Sequence, residues 1–358
     1  MNSRLKVREI AEQTGLSTST VSRVLSGKSN TSAQAKQRVL ACAKQQGILS
    51  NITDGRLLFN TLTIFAPARA FDLRTDIFYY KVIESIQAAV SGNDVRISCC
   101  GIEETDSDAP LFLKKINAPG CEAAILIGID DPRIHEIAAD IGKPCVLING
   151  RDNSMRLDVV SPDHQLIGEF AANYLVEQGH RDILVLMCLR RSTMERRLRG
   201  IKDALAQHGI PFDDNLNLVA TTGFGAAEAR EAISEYLSQS PGPHRPDAML
   251  VGGDFLAMGA MEALRERGLA VPADISIMSM DSINLSDIHD VPLTVVKVPR
   301  DDLGREAIRL LQRRITHPDL PPCSVLLNGH LVVRSSVKRL PQRKQAAVVS
   351  SRDHGLYE

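Results

Sequence analysis

The chain of 358 residues contains no tryptophan, and Phe and Tyr together supply only 4 % of it. Flat aromatic surfaces of the kind that stack on sugar rings are therefore sparse. No apolar run is long enough to span a bilayer, and the N-terminus does not read as a secretory signal. A cytoplasmic protein without membrane contact is expected. The seven cysteines (Cys42, Cys99, Cys100, Cys121, Cys145, Cys188 and Cys323) are odd in number and never form a C-x-x-C pair. That spacing argues against a disulfide framework or a structural zinc site and for a reducing compartment.

Catalytic signatures are missing as well. The sequence holds no G-x-x-x-x-G-K-[ST] phosphate loop, no H-E-x-x-H pair and no G-x-S-x-G elbow. Gly101 and Gly128 follow apolar runs without opening a dinucleotide fingerprint, and His180, after Gly179, suits a helix stop. No cofactor, no metal and no catalytic set is expected. An enzyme carrying an appended head is the weaker alternative.

Net charge is also small, at −1, but it is unevenly spread. Residues 1–60 carry nine Lys or Arg against Glu9, Glu12 and Asp54, a balance of +6, which leaves −7 on residues 61–358. A basic head on an acidic body fits a phosphate-binding module joined to a soluble sensor. With 44 % apolar residues the chain is globular, and its length calls for two or three packed units.

Within the basic head, residues 7–26 fit two short helices joined by a tight turn. Ala11 stands where the helices cross, Gly15 where the turn needs positive φ, and Val21 where the second helix faces the core. Ser17 is placed to cap that helix, which buries Val21, Val24 and Leu25 and leaves Thr18, Ser19, Ser22 and Arg23 on a polar face. Short hydroxyls and an arginine suit base edges and phosphates in a major groove. This is a DNA-binding helix-turn-helix pattern. A third helix is predicted from Ser32, its cap, to Gln46, with Gly47 as the stop.

The head is therefore residues 1–46, followed by a hinge segment over 47–60. From residue 61 strand-length apolar runs alternate with amphipathic helical segments: Leu62–Ala66, Asp94–Cys99, Ala123–Gly128, Cys145–Asn149, Ile183–Cys188, Ala248–Gly252, Ile275–Met280 and Leu293–Val298. Continuous apolar runs belong to parallel strands covered on both faces. Eight of them are better divided between two doubly wound α/β sheets than spread in one. Strand carboxyl ends facing each other across two lobes make a ligand cleft. The two-lobed body is assigned to residues 61–337, and the tail 338–358, which has no heptad pattern, is expected to be disordered and not to form a tetramerising coil.

Taken in order, Thr20-Val21-Ser22-Arg23-Val24-Leu25, Gly179-His180-Arg181, Arg197-Leu198-Arg199-Gly200, the run Gly253–Ala260, Leu293-Thr294-Val295-Val296 and Val333-Arg334-Ser335-Ser336 resemble the lac repressor/galactose repressor family of transcriptional regulators over about residues 5–337. The resemblance implies a periplasmic-binding-protein-like body. It also implies a homodimer that binds a palindromic operator, with one recognition helix per half-site. By position in that pattern, DNA contacts are expected at Val7, Ser17, Thr18, Ser19, Thr20, Ser22, Arg23, Ser26, Asn30 and Ser32, and in the hinge at Asn51 and at Leu57, a minor-groove wedge.

The same resemblance places a small-molecule effector, a sugar, sugar acid or sugar phosphate, in the cleft. Arg197 and Asp281 would bond its polar groups and Phe224 would pack on a flat face, with Asp72, Asp76 and Phe78 reaching in from the first loop. Asp254 would cap a helix, bind ligand, or do both. Gly253 stands where relatives often have Asn or Ser. A nucleoside or purine effector is the alternative, as is a regulator with no small-molecule effector. A transport-type binding protein would not carry the basic head.

The hinge departs from the family pattern. Asp54 sets a negative charge near phosphates, and Gly55 costs about 0.5–1 kcal/mol relative to Ala inside a helix. A weaker or differently seated hinge is expected. Asp54→Ala should tighten operator binding at fixed salt, read by titration of labelled operator; unchanged or weaker affinity would refute the electrostatic account.

Overall fold

The computed structural model describes residues 3–28, 31–46, 56–239, 245–281 and 291–341. Helices α1 (Ser3–Thr14), α2 (Thr18–Leu25) and α3 (Ala33–Gln45) form the head. Gly15 turns the chain at φ +63°, and Ser17, extended at the start of α2, accepts a hydrogen bond from Thr20 N at 3.1 Å. Ser32 caps α3 by accepting from Ala35 N. Val21, Val24 and Leu25 meet Ile10, Ala11, Val39 and Ala43 in one small apolar core.

The first lobe begins with β1 (Thr61–Ala66), α4 (Ile77–Val90), β2 (Arg96–Gly101), α5 (Ala109–Ile116), β3 (Ala123–Ile127), α6 (Pro132–Asp140), β4 (Cys145–Ile148) and β5 (Asp158–Pro162). The chain then crosses to the second lobe. This contains α7 (His164–Glu177), β6 (Ile183–Met187), α8 (Ser192–Gln207), α9 (Asp214–Asn217), β7 (Leu218–Ala220), α10 (Ala226–Gln239), β8 (Ala248–Val251), α11 (Asp254–Glu266), β9 (Ser276–Asp281) and β10 (Thr294–Lys297). It returns for α12 (Arg300–Thr316) and β11 (Ser324–Leu327), and crosses a third time into β12 (His330–Val332).

Each lobe is a six-stranded sheet, ordered β11-β5-β4-β3-β1-β2 and β12-β10-β9-β8-β6-β7. All pairings are parallel except β12 against β10. Helices α4 and α12 cover one face of the first sheet and α5 and α6 the other. In the second lobe α7 and α8 oppose α10 and α11. Burial on both faces accounts for the uninterrupted apolar runs of the central strands.

The eight strands expected from those runs are present, with ends shifted by at most two residues or so. Four others, β5, β7, β11 and β12, carry no such run. Strand β5 opens on Asp158, 2 % exposed and held bidentately by Arg314 at 2.8 and 2.9 Å, so a charge stands where an apolar residue would mark a strand. Strand β7 has three residues, and β11 and β12 are half-covered edge strands. The tail also needs correction. Lys338 N donates to Ser276 Oγ and Leu340 N to the Gln178 carbonyl, so the body runs to residue 341; residues 342–358 lie outside the described set.

Residues 47–55 of the hinge, with Asn51, Asp54 and Gly55, likewise lie outside the described residues. Where the chain resumes, it is anchored at both sides. Leu57 packs against the core of the first lobe and Leu58, 2 % exposed, enters the core of the head, which Ile315 of α12 also touches. Leu57, expected as a wedge for DNA, thus has its side chain on the body in this structure, since an apolar group beside an open core is best buried there. Asn60 Nδ2 donates to the Gly27 carbonyl at 2.7 Å, and Lys36 forms an ion pair with Glu122. Among the described residues no helix is long and apolar enough to cross a membrane.

Leu58→Ala should cost about 2–5 kcal/mol at the seam between head and body. Hydrogen exchange would then speed up in α1, α2 and α3 while the central strands of the body keep their protection. Unchanged exchange in the head would show that Leu58 does not anchor it.

Candidate functional site

Two surfaces gather the residues singled out in the sequence. On the head, Ser17, Thr18, Ser19, Ser22, Arg23 and Ser32 are exposed, with Val7, Thr20 and Ser26 half-buried; Asn30 lies outside the described residues. Val7 packs partly on the head core. Ser17, Ser26 and Ser32 hydroxyls are engaged locally, with Ser26 Oγ donating to the Arg23 carbonyl, so they shape the helix ends as well as facing solvent. Thr18, Ser19, Ser22 and Arg23 form the open polar face of α2.

The second surface is a cleft of about 440 Å³ between the lobes, within the range of small-molecule sites. Strand carboxyl ends from both sheets deliver its polar groups. Arg197 lies one turn into α8, and its place follows from the tight crossing of α7 and α8. A Cβ on Gly200 would fall 1.9 Å from the Gln165 carbonyl oxygen, so only glycine allows this approach. Arg197 is 1 % exposed. Its Nη1 donates to the carbonyls of Gly252 and Met280 at 2.9 and 3.1 Å, and its Nη2 to Asp281 Oδ1 at 3.1 Å.

His164 completes the set. Burial and the nearby Arg197 and Arg196 hold its imidazole well below the usual value, so it is neutral. Arg197 Nη2 donates to its Nδ1 at 3.0 Å, which leaves Nε2–H to donate to Asn149 Oδ1 at 2.7 Å. Asn149 Nδ2 in turn donates to the Tyr79 hydroxyl at 2.9 Å. A continuous hydrogen-bonded chain thus runs from the end of β9 in the second lobe to α4 in the first.

Phe224 packs on the second-lobe core with the Arg190 guanidinium 5.4 Å from its ring centre, and Phe78 touches the cores of both lobes. Asp76 lines the cleft, but it also caps α4 through Tyr79 N and accepts from Arg69 Nε. Burial outweighs Arg69 and raises its carboxyl to about 6. Asp254 lines the cleft and does not cap α11; Gly253 holds that place without a side-chain bond, while Asp254 accepts from Ser279 Oγ at 2.5 Å. As the first helical residue, it reaches across to Ser279 within β9. Asp72 is set apart: it is exposed, absent from the lining, and accepts from Arg74 N.

The sequence reading missed several cleft residues, including Arg69, Tyr79, Asn149, His164, Arg190 and Arg191. One signal was available, since Asn149 and the Arg190-Arg191 pair each follow an apolar run at a strand's carboxyl end. Asn149 also adopts φ +54°, a left-handed conformation that asparagine tolerates better than most residues.

Burial raises the Asp281 carboxyl to about 6 against the opposing pull of Arg197. Between about 6 and the unfolded value of about 3.9 the native state holds more protons than the unfolded chain, so this group adds stability as pH falls through that window and withdraws it as pH rises. Asp281→Asn, which mimics the protonated form, should therefore gain on the wild type between about pH 4.5 and about pH 7.5 in urea unfolding. An equal difference at the two pH values would contradict the buried carboxylate.

Known proteins place this architecture. Residues 6–51 match the model of the lacI family of bacterial regulatory proteins, and residues 172–337 match that of the periplasmic binding protein-like domain. A helix-turn-helix-type transcriptional regulator from the 5′ region of aml in Streptomyces limosus is 29 % identical, covering 92 % of this chain and 94 % of that protein. The transcriptional repressor CytR of Escherichia coli K12 is 27 % identical, covering 94 % and 97 %. A solved complex of the transcriptional regulator CelR with cellobiose superposes with a TM-score of 0.68 at 24 % identity, covering 92 % of this chain and 99 % of that one. The chain belongs to the lacI family of bacterial regulatory proteins, a DNA-binding helix-turn-helix head joined to a periplasmic-binding-protein-like effector domain.

Proposed function

We propose that the protein is a transcriptional repressor of a carbohydrate-utilisation gene set, binding a palindromic operator as a homodimer and answering to a polyhydroxylated effector in the interlobe cleft. The observation that carries the effector reading is at the cleft floor, where the buried Arg197 Nε–H has no hydrogen-bond partner among the described residues and stands beside the half-buried Asp281 carboxylate, a donor and an acceptor side by side. Hydroxyl groups of a sugar, sugar acid or sugar phosphate match that alternation of donor and acceptor. The cellobiose complex of CelR, similar over nearly the whole chain, supports the same class.

On the head, the open face of α2 supplies Thr18, Ser19, Ser22 and Arg23 to the major groove. The remaining expected contacts, Val7, Ser17, Thr20, Ser26, Asn30 and Ser32, flank it, and Asn51 and Leu57 would engage DNA between the half-sites. A nucleoside is the second reading for the effector, favoured by the rings of Phe78, Tyr79 and Phe224 in one lining.

Thermal unfolding of the full-length protein against sugars, sugar acids, sugar phosphates and nucleosides separates these. A ligand at about 100 times its Kd stabilises by about 2.7 kcal/mol. The expected result is a shift with one carbohydrate class that Arg197→Ala abolishes while operator binding persists. A shift with nucleosides alone selects the second reading, and none across the panel rejects both.

A further inference from the structure

Arg191 stands at the end of the segment between β6 and α8, in the second lobe, yet its partners are in the first. The side chain is 4 % exposed. Its Nε and Nη2 donate to the two carboxylate oxygens of Asp130 at 2.9 and 3.0 Å, Nη2 also donates to the Asn149 carbonyl at 2.8 Å, and Nη1 donates to the Tyr79 hydroxyl. Asp130 follows β3, Asn149 follows β4 and Tyr79 lies in α4, so every one of these bonds joins the lobes. Beside it, Arg190 bonds Glu104 of the first lobe at 3.0 Å, and Glu104 is itself held by Arg69 at 2.5 Å.

We propose that Arg191 is a built-in latch that holds the two lobes together over the cleft in the absence of any effector. The argument is geometric. A guanidinium this deeply buried needs acceptors for its donors, and the second lobe provides none of those seen here. Opening the cleft would regain the hydration of both ions but lose the bidentate pair and the bonds to Tyr79 and Asn149, and a buried pair holds when its geometry is good and its remaining donors are bonded, as they are here. The planar fork matches the carboxylate in the bidentate manner that Lys does not reproduce. An effector then enters a cleft that is already joined, and its binding energy goes to adjusting a closed form instead of driving closure.

The inference rests on the two-lobed architecture and not on the identity of the effector. Small-angle scattering and hydrogen exchange on the full-length, ligand-free protein test it. The wild type should scatter as the closed form. Arg191→Ala should raise the radius of gyration, and peptides covering residues 128–131, 149–152 and 189–194 should exchange at least about tenfold faster. Arg191→Lys should fall nearer to Arg191→Ala than to the wild type. Asp130→Asn provides an independent arm should Arg191→Ala fold poorly, because it weakens the same pair from the first lobe. Wild-type scattering by folded variants, or an open wild type, would overturn the latch; failure of the ligand panel alone would leave it standing.

Discussion

A buried guanidinium is the constraint from which the centre of this molecule is built. Arg197 has no solvent to satisfy its donors, so the ends of β8 and β9, the Asp281 carboxylate and the His164 ring must all converge on it. That requirement fixes the tautomer of His164, which fixes the amide of Asn149, which orients the Tyr79 hydroxyl. The close crossing of α7 and α8 at Gly168 and Gly200 is part of the same demand, since any Cβ there would push the helix that carries Arg197 away from the strand ends. Specificity of fold and readiness to bind are one arrangement here.

Much of the architecture was legible in the sequence because it rests on burial. The central strands bury both faces, so their apolar runs betray them, and the head is announced by Ala11, Gly15 and Val21, each needed by the crossing of two helices. Strands β5, β11 and β12 escaped notice for the converse reason: their pairing is maintained by backbone bonds and by Asp158 with Arg314, which leave no apolar signature. The lobes' discontinuity, with α12 returning to the first, is likewise invisible to periodicity.

For the cleft, the residues readable from motif position were those on the second lobe's floor, Arg197, Phe224, Asp254 and Asp281. Those from the first lobe were read from their place in the first strand-helix loop, which does not say which carboxylate turns inward; Asp76 does and Asp72 does not. Arg191, Asn149 and Tyr79 act across a gap between segments far apart in the chain, and only their convergence gives them meaning. Asp254 shows the limit of local rules, for the helix starts one residue early, at a Gly253 cap, and Asp254 accepts from its tertiary partner Ser279.

The three crossings between lobes have a mechanical consequence. Among the described residues the head meets the first lobe, through Leu58, Asn60 and Lys36, while Arg197 and Asp281 belong to the second. Movement at the cleft floor reaches the first lobe through those three crossings and through the bonds of Arg191 and Asn149, and α12 then runs on to Ile315 at the head core. One continuous helix thus spans the distance from Arg300, next to a lobe crossing, to Ile315 at the head core, so a rotation between the lobes would meet a stiff element on its way to the head.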